Sequence, residues 1–331
     1  MNPTKVAIIG GGSFATALVK IFSNNTQNIS WWLRNADTVS FIHKYHHNPN
    51  YLTDVQIDLN KIAVKSDIKE VINDAEIIVL AVPSAFLITS LNGITADDLK
   101  DKLIVSGIKG IVPEHNLIIG DYLHQHLNVP LQNIAVITGP CHAEEVALER
   151  LSYLTVASQN ADNNKRLGEL MRCRYIRITE SDDIFGTEYS AVMKNIMAVA
   201  SGICNGLSYG DNFQSVLISN ASREIKRFID AVHPVNRDIN DSAYLGDLLV
   251  TAYSQFSRNR MFGNMLGKGY SVKVAQLEMN MIAEGYYAAK CIDEINKKYK
   301  VHLPICKAVY NICYEKFSPG VEVKLLTEQL N

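Results

Sequence analysis

A glycine-rich turn near the N-terminus is the first stretch whose residue types and spacing could do chemistry. The apolar run Val6–Ile9 leads directly into glycines, and Gly10, Gly12 and Ala15 fit a G-x-G-x-x-A spacing. Between a strand and a helix, such a turn lets the backbone approach a pyrophosphate closely, because glycine has no Cβ and the helix N-terminus offers N–H groups. The pattern therefore predicts a dinucleotide-binding turn.

The residues after the second apolar run indicate which dinucleotide this turn would take. An NAD-selective site usually places a carboxylate about 20 residues beyond the glycines, on the ribose 2′-hydroxyl. Here Arg34 and the neutral Asn35 occupy that place. Because a guanidinium suits a 2′-phosphate, we expect NADPH to be used at least as well as NADH. The alternative is that Arg34 stacks on the adenine or faces solvent.

Lys194 is the only charged residue between Glu188 and Asp211, in a segment with apolar residues on nearly every side. That pattern is typical of a buried helix. An unpaired buried ammonium is costly, and desolvation would lower its pKa toward the range useful for proton transfer. Lys194 is therefore a candidate acid–base group, with a structural salt bridge or a snorkelling lysine as the alternative.

Two further basic features could bind an anion. Ser257, Arg258 and Asn259 precede a helical pattern, and an arginine fork beside a helix N-terminus suits a phosphate. Lys109 directly follows an apolar strand, where residues of a doubly wound sheet face the binding crevice. Each feature is weak alone, because basic residues at helix starts are often simply solvated.

Alternating strands and helices would have to position these groups. The predicted strands are Val6–Ile9, Ile29–Leu33, Ile77–Val82, Leu103–Ser106, Ile134–Thr138 and Leu154–Ala157, with Tyr175–Thr179 as a further candidate. The predicted helices are Phe14–Ser23, Ile68–Ile72, Thr187–Leu207, Gln214–Val232, Ala243–Tyr253, Arg258–Leu266, Ala283–Tyr299 and Ile305–Lys316. Strand–helix alternation predicts an α/β fold with a Rossmann-like, doubly wound parallel sheet in residues 1–184, followed by an all-α domain in residues 185–331.

Eight motifs, taken in order, resemble the NAD(P)-dependent glycerol-3-phosphate dehydrogenases in their bacterial form. They are Gly10–Ala15, Ala81–Ser84, Ile108–Gly110, Gly139–Glu145, Val192–Asn195, Gly246-Asp247, Ser257–Arg260 and Ala283–Gly285. The resemblance spans nearly the whole chain. It implies reversible reduction of dihydroxyacetone phosphate, a small phosphorylated triose, to sn-glycerol 3-phosphate with NADPH or NADH, which supplies phospholipid synthesis.

The same resemblance implies roles for matching positions. The catalytic residues would be Lys194, the proton acceptor in the oxidative direction, Lys109, which contacts both cofactor and substrate, and Asp247, which would orient Lys194. The cofactor would be lined by Gly10, Gly12, Ser13, Phe14, Ala15, Arg34, Lys109, Ala143, Arg258, Ile282 and Glu284. The substrate would contact Lys109, Gly139, Cys141, Lys194, Asp247, Ser257, Arg258 and Asn259. Position 141 is commonly Ser or Thr in the family, and the Cys141 thiol is a poorer hydrogen-bond donor.

Two other functions compete with this one. A ketopantoate-type reductase also opens with a glycine turn, but its substrate lacks the phosphate that Ser257–Arg260 would hold. A non-catalytic dinucleotide-sensing module would need no proton donor, so Lys194 and Asp247 argue against it. We also expect a homodimer, which the sequence does not itself specify.

Composition excludes several other classes. The 331 residues carry a formal charge of −2 from 32 basic and 34 acidic side chains, which argues against a nucleic-acid binder. No run of 18 apolar residues suggests a transmembrane segment, and without an export signal we expect a cytoplasmic protein with reduced cysteines. The histidines at 43, 46 and 47 lack ligands of matching spacing, so no metal site is expected.

Overall fold

Strands and helices alternate in the first half of the computed structural model and helices follow one another in the second; residues 4–279 and 283–331 are described. The strands are β1 (Val6–Ile9), β2 (Ile29–Trp32), β3 (Ile62–Lys65), β4 (Ile77–Leu80), β5 (Leu103–Ser106), β6 (Ile111–Val112), β7 (Leu117–Ile118), β8 (Ile134–Thr138), β9 (Ser152–Ala157) and β10 (Ile176–Ser181).

The helices of the first half are short, and those of the second half include two of more than 20 residues. They are α1 (Ser13–Phe22), α2 (Ala36–Tyr45), α3 (Ile68–Ile72), α4 (Leu87–Ser90), α5 (Ala96–Leu99), α6 (Ile119–Leu127), α7 (Ala143–Ala147), α8 (Ala161–Met171), α9 (Ile184–Gly206), α10 (Asp211–Val232), α11 (Asp247–Tyr253), α12 (Arg258–Gly267), α13 (Val272–Glu278), α14 (Glu284–Tyr299), α15 (Pro304–Cys313) and α16 (Pro319–Thr327). Two 3₁₀ turns, Ser84–Phe86 and Leu131–Asn133, and a π-helical turn, Ser242–Gly246, complete the regular structure.

Eight strands form one sheet, in the order β10-β9-β8-β5-β4-β1-β2-β3. Read from β3 to β8, this is the arrangement of a dinucleotide-binding sheet, in which the order reverses beside the first strand. The central strands β1, β4 and β5 are buried along their whole length, as expected for strands covered on both faces. The predicted fold class, a doubly wound sheet followed by helices, is confirmed.

One strand pair departs from the predicted parallel pattern. β9 runs antiparallel to β8, with Val136 opposite Ala157 and Thr138 opposite Thr155, whereas β10 is parallel to β9. The short helix α7 between β8 and β9 does not carry the chain back across the sheet, so β9 returns beside β8 in the opposite direction. The sheet is therefore mostly parallel rather than parallel throughout.

The chain divides into two compact units. The first unit comprises residues up to 108 together with 119–184, and the second comprises 109–118 together with 185–331. The excursion 109–118 contains the β6–β7 hairpin, which pairs Ile111 with Ile118 and Val112 with Leu117. Strands of two residues leave no clear pattern in a sequence. The sequence therefore predicted neither this hairpin nor its grouping with the helices of the second unit.

The second unit is built around α9. Every residue of this helix from 186 to 204 is buried, and its apolar side chains pack with Phe228 of α10 and Phe262 of α12 in one core. The predicted buried helix is thereby confirmed, and its start lies three residues before the expected one. The helices α13 and α16 and the strand β3 were not predicted, since their short segments lack a clear period.

Candidate active site

Lys194 lies in the middle of the buried helix α9 and is only 3% exposed. Its ammonium group donates a hydrogen bond to Oδ1 of Asp247, whose side chain is equally buried. Lys109 donates to the same carboxylate, with Nζ 3.1 Å from Oδ2 and 3.3 Å from Oδ1. Two lysines thus share one aspartate, which leaves this buried cluster with a formal charge of +1.

The surroundings of Lys194 and Asp247 shift the pKa values of both groups. Burial lowers the pKa of the Lys194 ammonium, and the neighbouring Lys109 cation lowers it further, while the Asp247 carboxylate acts in the opposite direction. Burial by itself would raise the pKa of Asp247, but the two lysines outweigh that effect and lower it. The result is an anionic aspartate beside a lysine that releases its proton more readily than an exposed one.

Asp247 is held by the geometry of its helix. It is the first residue of α11 and directly follows the π-helical turn Ser242–Gly246, and the helical backbone continues through the junction, since Gly246 has φ −61° and ψ −45°. The hydroxyl of Thr251, one turn later, donates to the Asp247 carbonyl oxygen at 2.6 Å. The predicted single helix over residues 243–253 therefore contains a change of helical form at the residue that pairs with both lysines.

The N-terminus of α12 presents the basic cluster predicted from the sequence. Ser257 is the N-cap, and its buried Oγ accepts from the Arg260 backbone N–H at 3.3 Å, so the hydroxyl has a structural role. Arg258, the first helical residue, is exposed, whereas Asn259 is buried. Arg258 and Asn259, which the sequence analysis grouped as phosphate ligands, thus differ in their exposure to solvent.

Asparagine side chains connect several of these segments. Asn195, next to Lys194, donates through Nδ2 to the Lys109 carbonyl oxygen at 2.6 Å. Asn259 donates through Nδ2 to Asn195 Oδ1, and its own Oδ1 accepts from the Gly285 backbone N–H, both at 2.9 Å. The sequence analysis assigned no role to Asn195, although this residue ends the motif Val192–Asn195 and adjoins the buried lysine.

Glycines allow α9 and α12 to pack with their backbones in contact. A Cβ on Gly202 would lie 2.1 Å from the Arg260 carbonyl oxygen, and one on Gly263 would lie 2.0 Å from that of Val199. Gly206 and Gly267 approach each other in the same way one turn later. Since both helices carry a G-x-x-x-G spacing, the start of α12 is fixed close to the helix that carries Lys194.

In the first unit, the glycine turn has the shape expected of a phosphate-binding loop. Gly10 has φ +136°, and a Cβ there would lie 2.4 Å from the Ala81 carbonyl oxygen. Gly12 is the N-cap of α1, and no heavy atom of the described residues lies within 4 Å of the position its Cβ would take. Because no side chain caps the helix there, the turn fits a dinucleotide pyrophosphate at the backbone N–H groups of Ser13 and Phe14.

Arg34 follows β2 and is exposed. The next residue, Asn35, caps α2 by accepting from the backbone N–H groups of Asp37 and Thr38. Asp37, the next acidic residue in the sequence, lies in the first turn of α2. Arg34 is thus the one charged residue between β2 and α2.

The remaining predicted positions lie in two segments. All three of the next positions lie in the first unit. Gly139 directly follows β8 and has φ +102°, whereas Cys141 is half-buried and Ala143 begins α7. Glu284 begins α14 of the second unit. Ile282 lies outside the described residues. None of the six cysteines, all of which are described, forms a disulfide.

Comparisons with known proteins decide the family. The model for the N-terminus of NAD-dependent glycerol-3-phosphate dehydrogenase matches residues 5–164, and that for its C-terminus matches residues 183–324. The chain belongs to the NAD(P)-dependent glycerol-3-phosphate dehydrogenase family. Its 33% identity to glycerol-3-phosphate dehydrogenase [NAD(P)+] of Clostridium perfringens (strain SM101 / Type A) extends over 326 residues, 98% of each chain.

Other family members agree. The enzyme of the same name from Bacillus subtilis (strain 168) is 33% identical over 98% of this chain and 93% of its own length. A crystal structure of glycerol-3-phosphate dehydrogenase from Coxiella burnetii superposes with a TM-score of 0.91 at 28% identity, covering 98% of this chain and 99% of the other. The resemblance stated from the eight motifs is thus confirmed, and the ketopantoate-type and sensor alternatives are not supported.

In residues 4–279 and 283–331, no helix has both the length and the hydropathy required to cross a bilayer. Within the same ranges, no three His, Cys, Asp or Glu side chains are grouped so that they could hold a metal ion.

Proposed function

We propose that this chain reduces dihydroxyacetone phosphate to sn-glycerol 3-phosphate with NAD(P)H, reversibly, and so supplies the glycerol phosphate used in phospholipid synthesis. The buried cluster of Lys194, Asp247 and Lys109 carries this proposal, because it combines a proton donor with a surplus positive charge. Family membership supports the same reaction.

Each group of the cluster has a distinct task. When bound, NAD(P)H supplies the hydride that C2 of the substrate receives. Lys194 donates its proton to the carbonyl oxygen as negative charge develops there, a contribution of roughly 10²–10⁴-fold for a positioned acid. Lys109 adds a second positive charge that stabilises this oxygen, and Asp247 keeps both ammonium groups in place. In the oxidative direction, neutral Lys194 takes the proton back.

The substrate phosphate is assigned to the start of α12. Arg258 is exposed at the first helical position, where a guanidinium fork and a helix N-terminus both favour a dianion. Holding the phosphate there restrains C2 with respect to Lys194, which lowers the entropic cost of reaction. Gly139 and Cys141 are assigned to the substrate, and Ala143, Ile282 and Glu284 to the cofactor, on the family resemblance.

A substrate comparison tests the function. Oxidation of NADPH is followed at 340 nm with dihydroxyacetone phosphate, with ketopantoate and with no substrate. We expect turnover with the phosphorylated triose alone. Equal or faster turnover with ketopantoate would identify the sibling reductase, and cofactor binding without turnover would identify a sensing module.

For the cofactor, we propose that NADPH is used at least as well as NADH. The exposed Arg34 at the end of β2 supports this, since a 2′-phosphate there would meet a guanidinium and no carboxylate. Arg34→Asp should lower kcat/KM for NADPH by about 10-fold or more while leaving that for NADH within a few-fold, as one charge-assisted contact is lost. A strong NADH preference in the parent protein would contradict this assignment.

We also propose a homodimer located in the cytoplasm, in which residues 1–184 bind most of the cofactor and residues 185–331 supply most of the substrate contacts. Exposed apolar side chains on the second unit support the dimer: Leu249, Tyr253 and Phe256 are 40%, 44% and 53% exposed. Sedimentation equilibrium of the parent protein tests it, and a monomer at micromolar concentration would contradict it.

A further inference from the structure

Three consecutive carbonyl oxygens of the glycine turn, at residues 10–12, each accept a hydrogen bond from a buried side chain. The pairs are Trp31 Nε1 to Gly10, Asn48 Nδ2 to Gly11 and Thr16 Oγ1 to Gly12, at 2.6, 3.0 and 3.1 Å. All three donors are 0% exposed, and they lie on β2, in the α2–β3 connection and on α1. Because water cannot replace a donor lost at such a depth, these contacts hold the turn firmly.

These contacts also set the direction of the neighbouring N–H groups. In a planar trans peptide, the C=O of one residue and the N–H of the next point in opposite directions. With the carbonyls of residues 10–12 directed at their donors, the N–H groups of residues 11–13 point away from those donors, and these three residues are half-buried rather than buried. Successive backbone N–H groups presented in this way form a concavity that suits an anion.

Asn48 connects the turn to a loop more than 30 residues further along the chain. Its Nδ2 donates to the Gly11 carbonyl and to Thr16 Oγ1, both at 3.0 Å, and its Oδ1 accepts from two backbone N–H groups of its own loop. Since Thr16 Oγ1 accepts from Asn48, its own proton goes to the Gly12 carbonyl. Asn48 and Thr16 therefore form one directed path, whereas Trp31 contacts the turn separately.

We infer that Trp31, Asn48 and Thr16 are positioning residues for the cofactor, which hold the glycine turn in its binding shape before the dinucleotide arrives. This inference rests on the proposed placement of the dinucleotide pyrophosphate on this turn. Glycines permit the shape but do not select it, because a glycine backbone has many accessible conformations. The three side-chain donors make that selection, and they thereby reduce the ordering that cofactor binding requires.

The first test removes one donor and keeps an aromatic ring. In Trp31→Phe, the dissociation constant of NADPH, measured by isothermal titration calorimetry, should rise by about 3- to 30-fold, since a smaller fraction of molecules holds the turn in its binding shape. The loss in kcat/KM for NADPH should come mainly from KM. The matched control is Trp32→Phe on the same strand, whose indole donates to the Ser66 carbonyl at 2.9 Å, away from the turn. Its NADPH dissociation constant should stay within about twofold of the parent.

A double-mutant cycle tests the path from Asn48 to Thr16. Asn48→Ala and Thr16→Val should each raise the NADPH dissociation constant by about 3- to 30-fold, and the double variant should lie within about threefold of the worse single one, because either change breaks the same path. Either change combined with Trp31→Phe should instead multiply the effects. The control is Asn164→Ala, since this asparagine is 4% exposed and donates to two backbone carbonyls outside the turn.

A further readout uses the protein without cofactor. The backbone N–H groups of Gly10 and Thr16, which donate to the carbonyls of Trp32 and Gly12 at 3.1 and 3.0 Å, lie on either side of the turn. Both should exchange with deuterium faster in Trp31→Phe than in the parent or in Trp32→Phe. Exchange rates equal to those of the parent would overturn the inference, because the turn would then keep its shape without the indole donor.

The binding data separate a positioning role from a purely structural one. If Trp31→Phe and Asn48→Ala lose stability to urea but bind NADPH like the parent, or if Trp32→Phe weakens binding as much as Trp31→Phe, the inference is wrong. Thr16→Ser keeps the hydroxyl and should bind NADPH more tightly than Thr16→Val, a comparison that decides the matter if Trp31→Phe does not fold. A parent that binds NADPH without reducing dihydroxyacetone phosphate would contradict the proposed function alone.

Discussion

At the residue scale, Lys194 and Lys109 of the second unit both donate hydrogen bonds to the buried carboxylate of Asp247, and this cluster is the proposed place of proton transfer. The Asp247 carboxylate neutralises one of the two ammonium groups. The other leaves a net positive charge that would stabilise an anionic oxygen. Burial lowers the pKa of the Lys194 ammonium below that of an exposed lysine, because water no longer stabilises its charged form.

Removing the Lys194 amine tests its catalytic assignment. Lys194→Ala should lower kcat for dihydroxyacetone phosphate reduction by roughly 10²–10⁴-fold, the usual contribution of a positioned general acid. Asp247 keeps its Lys109 partner, so the fold and the NADPH dissociation constant should remain near those of the parent. Steady-state kinetics and cofactor fluorescence titration measure both; a kcat near the parent value would remove Lys194 from the mechanism.

The pH profile tests the role of Asp247. Reduction needs protonated Lys194, so kcat should fall as the pH rises through the lowered pKa of this lysine, below the range of an exposed lysine. Asp247 raises the pKa of Lys194, so in Asp247→Asn this fall should occur at lower pH. The measurement is kcat against pH at saturating NADPH and substrate. If kcat of Asp247→Asn falls at the same pH as that of the parent, a group other than Lys194 controls the pH dependence.

At the element scale, the close crossing of α9 and α12 fixes the start of α12, where we propose that the substrate phosphate binds, near the helix that carries Lys194. Side chains normally hold packed helices about 8–10 Å apart. The paired glycines at 202 and 206 on α9 and at 263 and 267 on α12 remove that spacing, so the two backbones touch. The same sequence spacing on both helices is what makes this approach possible.

A single methyl group tests the crossing. Gly263→Ala places a Cβ about 2.0 Å from the Val199 carbonyl oxygen and should destabilise the protein by roughly 1–3 kcal/mol, the usual range for overpacking. Gly320→Ala, in α16 with its nearest atom 4.0 Å away, is the matched control and should be neutral or stabilising by up to about 1 kcal/mol. Urea denaturation followed by circular dichroism gives both values; equal effects would contradict the close crossing.

At the scale of the whole molecule, stability depends on a buried titratable carboxyl group that takes no part in the proposed reaction. Glu224 of α10 is fully buried and accepts the backbone N–H groups of Ile305 and Cys306, both at 2.9 Å, at the start of α15. Burial raises the pKa of its carboxyl group to about 7, although the two backbone hydrogen bonds oppose that shift. The start of α15, the penultimate helix, is thus attached to α10 through a titratable side chain.

The folding free energy should therefore vary with pH. A folded pKa above the ordinary value of 4.5 means that the stability gained from protonated Glu224 is complete below that value and is lost as the pH rises through about 7. Compared with Glu224→Gln, the parent should lose up to about 1.4 kcal/mol of unfolding free energy per pH unit in this interval. Urea denaturation from pH 4.5 to 8 measures the difference, with the exposed Glu328→Gln as control. Parallel curves for the parent and Glu224→Gln would contradict the shift.

Some properties followed from the sequence because they depend on neighbouring residues. The glycine turn, the alternating strands and the apolar helix around Lys194 are local patterns, and each was found within a few residues of its predicted bounds. The net charge of −2 excluded a polyanionic partner, yet it did not reveal that positive charge is concentrated around Asp247.

Other properties were decided only by tertiary structure, because they join residues far apart in the chain. The Lys109–Asp247 contact spans 138 positions, and the Asn195–Asn259 bond spans 64. The antiparallel β9, the transfer of residues 109–118 to the helical unit and the glycine contacts of α9 with α12 depend on packing that no local period encodes. The sequence by itself determined which residues are suited to the chemistry, and the fold determined which of them meet, since hydrogen bonds and ion pairs act only over a few ångströms.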